Sequence, residues 1–80
     1  MSEARIEVIN EVYIEKESGW KLCFQYGKWI WDDGSSDYGY RFIWRDPQGK
    51  LHPQRGQALI PALSDLFELL SKASKEGWLK

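Results

Sequence analysis

The spacing of the apolar residues changes once along this 80-residue chain, and that change limits what it can fold into. Up to about residue 52, apolar residues mostly occupy alternate positions, which is the period of a half-buried strand. From Leu59 onward they recur at spacings of three and four, which is typical of one face of an amphipathic helix. Strands followed by a single helix predict an α+β fold, in which an antiparallel sheet packs one face against a C-terminal helix.

Polar stretches that contain glycine divide the first part of the chain into strands. The predicted turns cover residues 17–19, 32–37 and 46–49. The predicted strands cover residues 5–16, 20–31 and 38–45, with a brief fourth strand over 50–52. Ile9 breaks the alternation of the first strand, which predicts a β-bulge near Asn10. The expected architecture is a three- to four-stranded meander, β-β-β-(β)-α, in one domain over residues 1–80.

The pairing expected across the first two turns gives the sheet one aliphatic and one aromatic face. Lys16 facing Trp20 places these pairs on one side: Ile14 with Leu22, Val12 with Phe24, and Ile6 with Ile30. Trp31 facing Tyr38 across a six-residue turn places these residues on the other side: Trp29, Tyr40, Phe42 and Trp44. Gly27 then faces Phe42, so that a ring covers bare backbone. A shift of one residue in the pairing of the second hairpin would place Trp29 and Trp31 on the face opposite the other aromatic residues.

The predicted helix spans about residues 61–76 and ends at Gly77, with Trp78 folding back over its last turn. Leu66, Phe67 and Leu70 lie at the centre of its apolar stripe and are expected to be buried against the sheet. A helix of this length is about 24 Å long and covers only one sheet face. One apolar face then remains open, and such patches usually mark interaction sites. In the alternative arrangement, Trp78, the N-terminal residues and the segment 53–56 wrap that face, and the aromatics fill the core.

The charge balance excludes two classes of binding protein. Eleven Lys and Arg residues against twelve Asp and Glu residues give a net charge of -1, without the positive field of a duplex-DNA or polybasic membrane binder.

The lone Cys23 excludes a disulfide framework and a cysteine-based zinc site, which favours a reducing, cytoplasmic location. The N-terminus lacks the pattern of a signal peptide, and no run approaches the roughly 20 apolar residues of a membrane span.

No set of residues in the sequence has the spacing of an active site. His52 is the only histidine, and no sequence pattern supplies it with a nucleophile or an orienting carboxylate. Cys23 lies in the middle of a strand without a partner histidine. The acidic turn 32–37 does not match the ligand spacing of an EF-hand. We therefore expect no enzyme, no catalytic residue, no metal ligand and no cofactor.

The sequence favours an interaction module that binds a protein partner, or a second copy of itself, through the aromatic sheet face. The expected partner-binding residues are Trp29, Trp31, Tyr38, Tyr40 and Trp44. The alternative is binding of single-stranded nucleic acid, in which bases stack on the aromatic rings and cations contact phosphates. The candidate phosphate contacts are Lys28, Arg41 and Arg45. In the expected register, Arg41 and Arg45 point away from the aromatic face.

Overall fold

The computed structural model of the chain describes residues 4–53 and 59–79, and it confirms an α+β meander with one C-terminal helix. Four strands form one antiparallel sheet in the order β1-β2-β3-β4. The elements are β1 (Ala4–Glu15), β2 (Lys21–Trp31), β3 (Ser36–Arg45), β4 (Leu51–His52) and α1 (Leu63–Glu76). Within the described residues, no helix is long and apolar enough to cross a membrane.

The three hairpin turns of the sheet are built in the same way. In each, a carbonyl accepts the amide of a glycine three residues later, at Lys16 to Gly19, Trp31 to Gly34 and Asp46 to Gly49. Each of these glycines has φ near +90°, a left-handed conformation that other residues rarely adopt. The turns therefore correspond to three-residue loops that end in a glycine bulge, a common hairpin connection.

The second of these turns corrects the expected register between β2 and β3. Because the loop closes at Gly34, strand pairing resumes at Ser35 and Ser36 and not at Tyr38. Tyr38 pairs with Lys28, three residues before its expected partner Trp31. A shift by an odd number exchanges the sheet faces. Trp29 and Trp31 therefore lie on the face opposite Tyr38, Tyr40, Phe42 and Trp44, and the expected single aromatic face is wrong.

The first hairpin has the expected register only as far as the bulge. Ile14 pairs with Leu22 and Val12 with Phe24, as predicted. The register shifts between Val8 and Asn10, which confirms the bulge. The extra residue moves Ile6 opposite Trp29, so the expected pairing of Ile6 with Ile30 is wrong.

The helix α1 lies over β1 and β2, on the face that we call the helix face. Its backbone approaches these two strands, whereas among the described residues no Cα atom of α1 lies within 8 Å of a Cα atom of β3. The buried core on this face consists of Val12, Leu22, Phe24, Leu69, Ala73 and Trp78. Gly77 caps the helix with φ of 81°, and Trp78 turns back into the core, as expected. The β3 half of the helix face is therefore left without a helix above it.

The rotation of α1 differs from the expectation. Its buried positions are Asp65, Leu69 and Ala73, while Leu66 and Leu70 are half-buried and Phe67 is 64% exposed. The expected burial of Phe67 is therefore wrong. Two polar contacts with the first hairpin accompany this rotation. Lys16 Nζ lies 2.8 Å from the Asp65 carboxylate, and Lys72 Nζ donates to the Tyr13 carbonyl oxygen at 2.9 Å. With these contacts, the Asp65 edge of the helix lies toward β1.

Candidate functional site

The structure divides the five expected partner-binding residues between the two faces of the sheet. Tyr38, Tyr40 and Trp44 lie on the helix face, whereas Trp29 and Trp31 lie on the opposite face, which we call the second face. The two sets can therefore not contact the same small patch of a partner. Each set has a different environment, and only the helix face carries strongly exposed rings from β3.

Three tyrosines form an open row on the helix face beyond the helix, which we call the tyrosine row: Tyr26, Tyr38 and Tyr40. The ring of Tyr26 lies 4.9 Å from that of Tyr40 and 6.1 Å from that of Tyr38, measured between centroids. Tyr38 is 60% exposed and Tyr40 is 38% exposed. Side chains alternate between the two faces along β3, so Tyr38 and Tyr40 lie on the same face. Tyr26 on β2 pairs with Tyr40 and lies beside it on that face.

Trp78 supports the inner end of the tyrosine row, and Trp44 packs farther along the same face. The Trp78 ring stacks on Phe24 at 5.5 Å and on Tyr40 at 6.2 Å, and the Tyr40 hydroxyl donates to the Trp78 carbonyl oxygen. The indole N–H of Trp44 donates to the Leu59 carbonyl oxygen at 2.8 Å. Trp44 is half-buried and packs against the core. The buried Trp78 ring therefore restricts the position of the Tyr40 ring, whereas Tyr38 contacts the row only through Tyr26.

On the second face, Trp29 and Trp31 are half-buried and have local roles. The Trp29 ring covers Gly39, where a Cβ atom would lie 3.8 Å from the ring. An aromatic ring therefore does cover bare backbone, but the pair is Trp29 with Gly39, and the expected pair of Phe42 with Gly27 is wrong. The Trp31 indole N–H donates to the Asp37 carboxylate at 2.8 Å.

The middle of the second face is covered by a cluster of hydrogen-bonded polar side chains, which we call the polar cluster: Glu11, Gln25, Arg41 and Arg45. Gln25 is 1% exposed; its amide nitrogen donates to Glu11, and its amide oxygen accepts from Arg41 at 2.7 Å. Arg45 donates to the same Glu11 oxygen at 2.8 Å. Desolvation lowers the pKa of Arg41, and the hydrogen bond with Glu11 raises that of Arg45. Sequence patterns do not reveal this cluster, because its members join only once three strands are in register.

The candidate phosphate contacts are also divided between the faces. Arg41 and Arg45 belong to the polar cluster on the second face, away from the tyrosine row. Lys28 is on the helix face, with its ammonium nitrogen 5.9 Å from the centroid of the Tyr38 ring. The structure therefore brings together one of the three expected cations and the exposed tyrosines.

The Cys23 thiol and the His52 imidazole are side chains of types often used in catalysis, and the surroundings of both favour a structural role. Cys23 is buried, and desolvation raises the pKa of its thiol, which disfavours the reactive thiolate. His52 does have a carboxylate partner, which the sequence interpretation missed: its Nε2 lies 2.8 Å from Asp46 Oδ2. The hydrogen bond from His52 is the largest cause of the lowered pKa of Asp46. Asp46 also accepts the amides of Gln48 and Lys50, so the pair stabilises the third turn.

Side chains that commonly bind metals are not clustered in residues 4–53 and 59–79. These residues contain no group of three or more histidine, cysteine, aspartate or glutamate side chains placed to hold an ion. Comparison of the chain with protein-family models, with curated proteins and with solved structures gave no match. The candidate surfaces are therefore interpreted from their own geometry.

The polar cluster gives the first testable expectation. Replacing Glu11 with alanine removes the acceptor that Gln25 and Arg45 share, and leaves the buried Gln25 amide without its partner. We expect a loss of about 1 to 3 kcal/mol in the free energy of unfolding, measured by urea denaturation. Glu7→Ala on the same strand is the control, and its exposed side chain predicts a change within about 0.5 kcal/mol. Equal effects of the two variants would contradict the expected role of the cluster.

Proposed function

We propose that this protein is a small, non-enzymatic, cytoplasmic interaction module that binds a protein partner through the tyrosine row. The observation that carries the proposal is the exposure of Tyr38 and Tyr40 in a supported stack beside the helix. Rigid tyrosine rings provide large contact areas at a low entropic cost, and tyrosine is enriched at protein interfaces. The cytoplasmic location is proposed because the lone Cys23 is a free, buried thiol.

The partner chemistry that best fits the row is an extended, proline-rich segment of another protein. Such segments dock on surfaces lined by aromatic rings, because their polyproline II conformation is largely formed in advance. Their backbone carbonyls have no internal hydrogen bonds and are suited to accept from the hydroxyl of the exposed Tyr38, since the Tyr40 hydroxyl donates to Trp78. A proline-rich segment needs no charge to bind, which suits a row of uncharged rings with Lys28 beside Tyr38.

Single-stranded nucleic acid is less well supported by the charges. Phosphates need several cations beside the stacking rings. Arg41 and Arg45 contact Gln25 and Glu11 on the second face and so do not line the tyrosine row. Lys28 remains as a cation that faces the row.

Fluorescence anisotropy with a labelled oligoproline peptide and a labelled oligothymidylate tests the proposal. We expect the peptide to bind, and Tyr38→Ala to weaken its binding about tenfold, the equivalent of roughly 1.4 kcal/mol of lost ring contact. Tyr13→Ala is the matched control, because Tyr13 is 46% exposed and lies on β1 on the second face.

Three outcomes would overturn the proposal. The first is an absence of peptide binding at millimolar protein. The second is an equal effect of Tyr13→Ala and Tyr38→Ala. The third is salt-sensitive binding of the oligothymidylate alone that Tyr38→Ala abolishes, which would favour the nucleic-acid function instead.

A further inference from the structure

The outer edge of β3 is open over most of its length. Within the described part of the chain, β4 pairs with β3 only at Trp44 and Arg45, so residues 36–43 have no strand beside them on that side. Their pairing with β2 on the inner side runs without a register shift, so the edge is regular. The helix does not cover it, since among the described residues no Cα atom of α1 lies within 8 Å of a Cα atom of β3. An edge of this kind can accept a further strand.

The hydrogen bonds of the neighbouring turn show which backbone groups of β3 point outward. The Trp31 amide donates to the Ser35 carbonyl oxygen at 2.9 Å, so the backbone groups of Ser35 face β2. Successive residues of an antiparallel strand direct these groups to opposite sides. The backbone N–H and C=O groups of Ser36, Tyr38 and Phe42 therefore point away from β2 and toward the open edge.

Arg41 brings to this edge a positive charge that no carboxylate pairs with among the described residues. Its Nε–H donates to the neutral amide of Gln25, whereas the carboxylate of the polar cluster, Glu11, forms its ion pair with Arg45. Desolvation lowers the pKa of Arg41 and outweighs the opposite effect of Glu11. The terminal guanidinium nitrogens have no acceptor in the described part of the chain. A carboxylate from another molecule would therefore stabilise the charged side chain.

Asp37 is the matching negative charge on the same strand. It is exposed, lies on the second face with Arg41, and forms no ion pair within the described residues. One of its carboxylate oxygens accepts the Trp31 indole N–H. Asp37 and Arg41 are four positions apart, which is about 13 Å along a strand. This separation is too long for an ion pair within one copy, so each charge can be paired only by a second molecule.

We propose that the open edge of β3 is a homodimer interface, on which β3 of a second copy adds in antiparallel orientation about a two-fold axis at Gly39. In this register, Asp37 of each copy lies directly opposite Arg41 of the other, on the same face of the joined sheet. The outward backbone groups of Ser36 pair with those of Phe42 in the other copy, as the strand geometry requires. An axis one residue to either side places Gly39 opposite one of the two charged residues instead. The charges therefore select the register.

The two-fold axis forms every contact twice, so that one complementary pair of residues acts at two places. Opposite charges directly across two strands stabilise their pairing. Gly39 at the axis has no side chain, and the Trp29 ring of each copy covers it on the second face. On the helix face, Tyr38 of one copy lies opposite Tyr40 of the other, so the two tyrosine rows meet. The interface goes beyond the proposed peptide binding and does not rest on it.

Sedimentation equilibrium of the full chain and of Asp37→Lys tests the interface. We expect the wild type to approach twice the 9.4 kDa monomer mass as concentration rises. Asp37→Lys places an introduced lysine opposite Arg41 at two places and is expected to raise the dimer dissociation constant about tenfold or more. Circular dichroism is expected to be unchanged, since Asp37 is exposed. Glu7→Lys is the matched control, because it makes the same change of charge at an exposed position on β1 and is expected to leave the dissociation constant unchanged.

A charge exchange between two variants tests the register. Arg41→Glu alone places an introduced glutamate opposite Asp37 and is expected to weaken the dimer as Asp37→Lys does. In an equimolar mixture of the two variants, the introduced lysine faces the introduced glutamate, and the native Asp37 of one copy faces the native Arg41 of the other. We expect the mixture to associate about tenfold more tightly than either variant alone. Circular dichroism checks that Arg41→Glu folds, and Asp37→Lys alone decides the test where it does not.

A monomer mass up to millimolar protein would overturn the dimer proposal and leave the edge to a strand of another protein. So would a dimer that Asp37→Lys leaves intact, one that Glu7→Lys disrupts to the same degree, or a mixture of folded variants that is no tighter than each alone. The result is distinguishable from the peptide-binding test. Asp37→Lys changes only the second face and is expected to keep its affinity for the oligoproline peptide, and the wild type is expected to dimerise whether or not it binds that peptide.

Discussion

Replacing Trp78 with alanine is expected to lower the free energy of unfolding by about 3 to 5 kcal/mol. Trp78 is 6% exposed, belongs to the core, and stacks on both Phe24 and Tyr40. A domain of this length has a total stability of about 4 to 12 kcal/mol, so the loss is a large share of it. Guanidinium denaturation followed by circular dichroism measures the change, and the variant is expected to be partly unfolded at room temperature.

Trp78→Phe separates ring packing from the indole N–H. The Trp78 Nε1 atom is buried and has no hydrogen-bond partner among the described residues, so phenylalanine loses no hydrogen bond there. It keeps an aromatic ring against Phe24 and is expected to cost less than half as much as alanine. A phenylalanine variant as unstable as the alanine variant would contradict the role of stacking.

Leu69→Ala is the second large effect expected, at about 2 to 5 kcal/mol. Leu69 is fully buried at the centre of the face that α1 turns toward β1 and β2. Shortening its side chain leaves a cavity under the helix. Urea denaturation measures the loss.

Phe67→Ala is the control for Leu69→Ala, because it removes a larger side chain from the same helix at an exposed position. It is expected to change the stability of the monomer by less than about 1 kcal/mol. A greater loss with Phe67→Ala than with Leu69→Ala would mean that the helix packs through the opposite side.

The strands and the helix were predictable because their apolar periods are long and clear, whereas the register depended on one turn. The polar run from Asp32 to Asp37 suggested a six-residue turn. Gly34, however, follows two loop residues, and Gly19 and Gly49 do the same in the other two turns. Comparing the three turns with one another would have predicted the three-residue loop. Composition alone did not, since Ser35, Ser36 and Asp37 resemble turn residues but pair as a strand.

The rotation of the helix was not predictable from its own sequence. Apolar periodicity alone places Phe67 near the middle of the stripe. In the observed rotation, Asp65 forms an ion pair with Lys16, which is 49 residues away in the first hairpin. A charged residue among apolar ones indicates a polar contact, but not its partner. The exposure of Leu63 and Phe67 on the outer flank of α1 belongs to the same rotation.

The candidate site was partly predictable. Tyr38 and Tyr40 were expected to be exposed and aromatic neighbours, and the structure places them so. Their separation from Trp29 and Trp31 follows from the register, and the closure of the second face follows from the polar cluster. The alternative arrangement had Trp78, the N-terminal residues and residues 53–56 wrapping the face that the helix leaves open. Trp78 instead packs into the core on the helix face, and residues 1–3 and 54–56 lie outside the described residues.

The bulge in β1 changes how well this edge of the sheet can pair with strands of other molecules. β1 is a 12-residue strand at the edge of the sheet, and Val8 and Ile9 are exposed on it. A long, regular edge is a template on which strands of other molecules add and aggregate. The bulge interrupts the outward row of backbone groups, and Lys72 occupies the Tyr13 carbonyl oxygen farther along. An incoming strand therefore finds no uninterrupted stretch as long as β1, and we expect this edge to add strands of other molecules less readily than a regular edge of the same length.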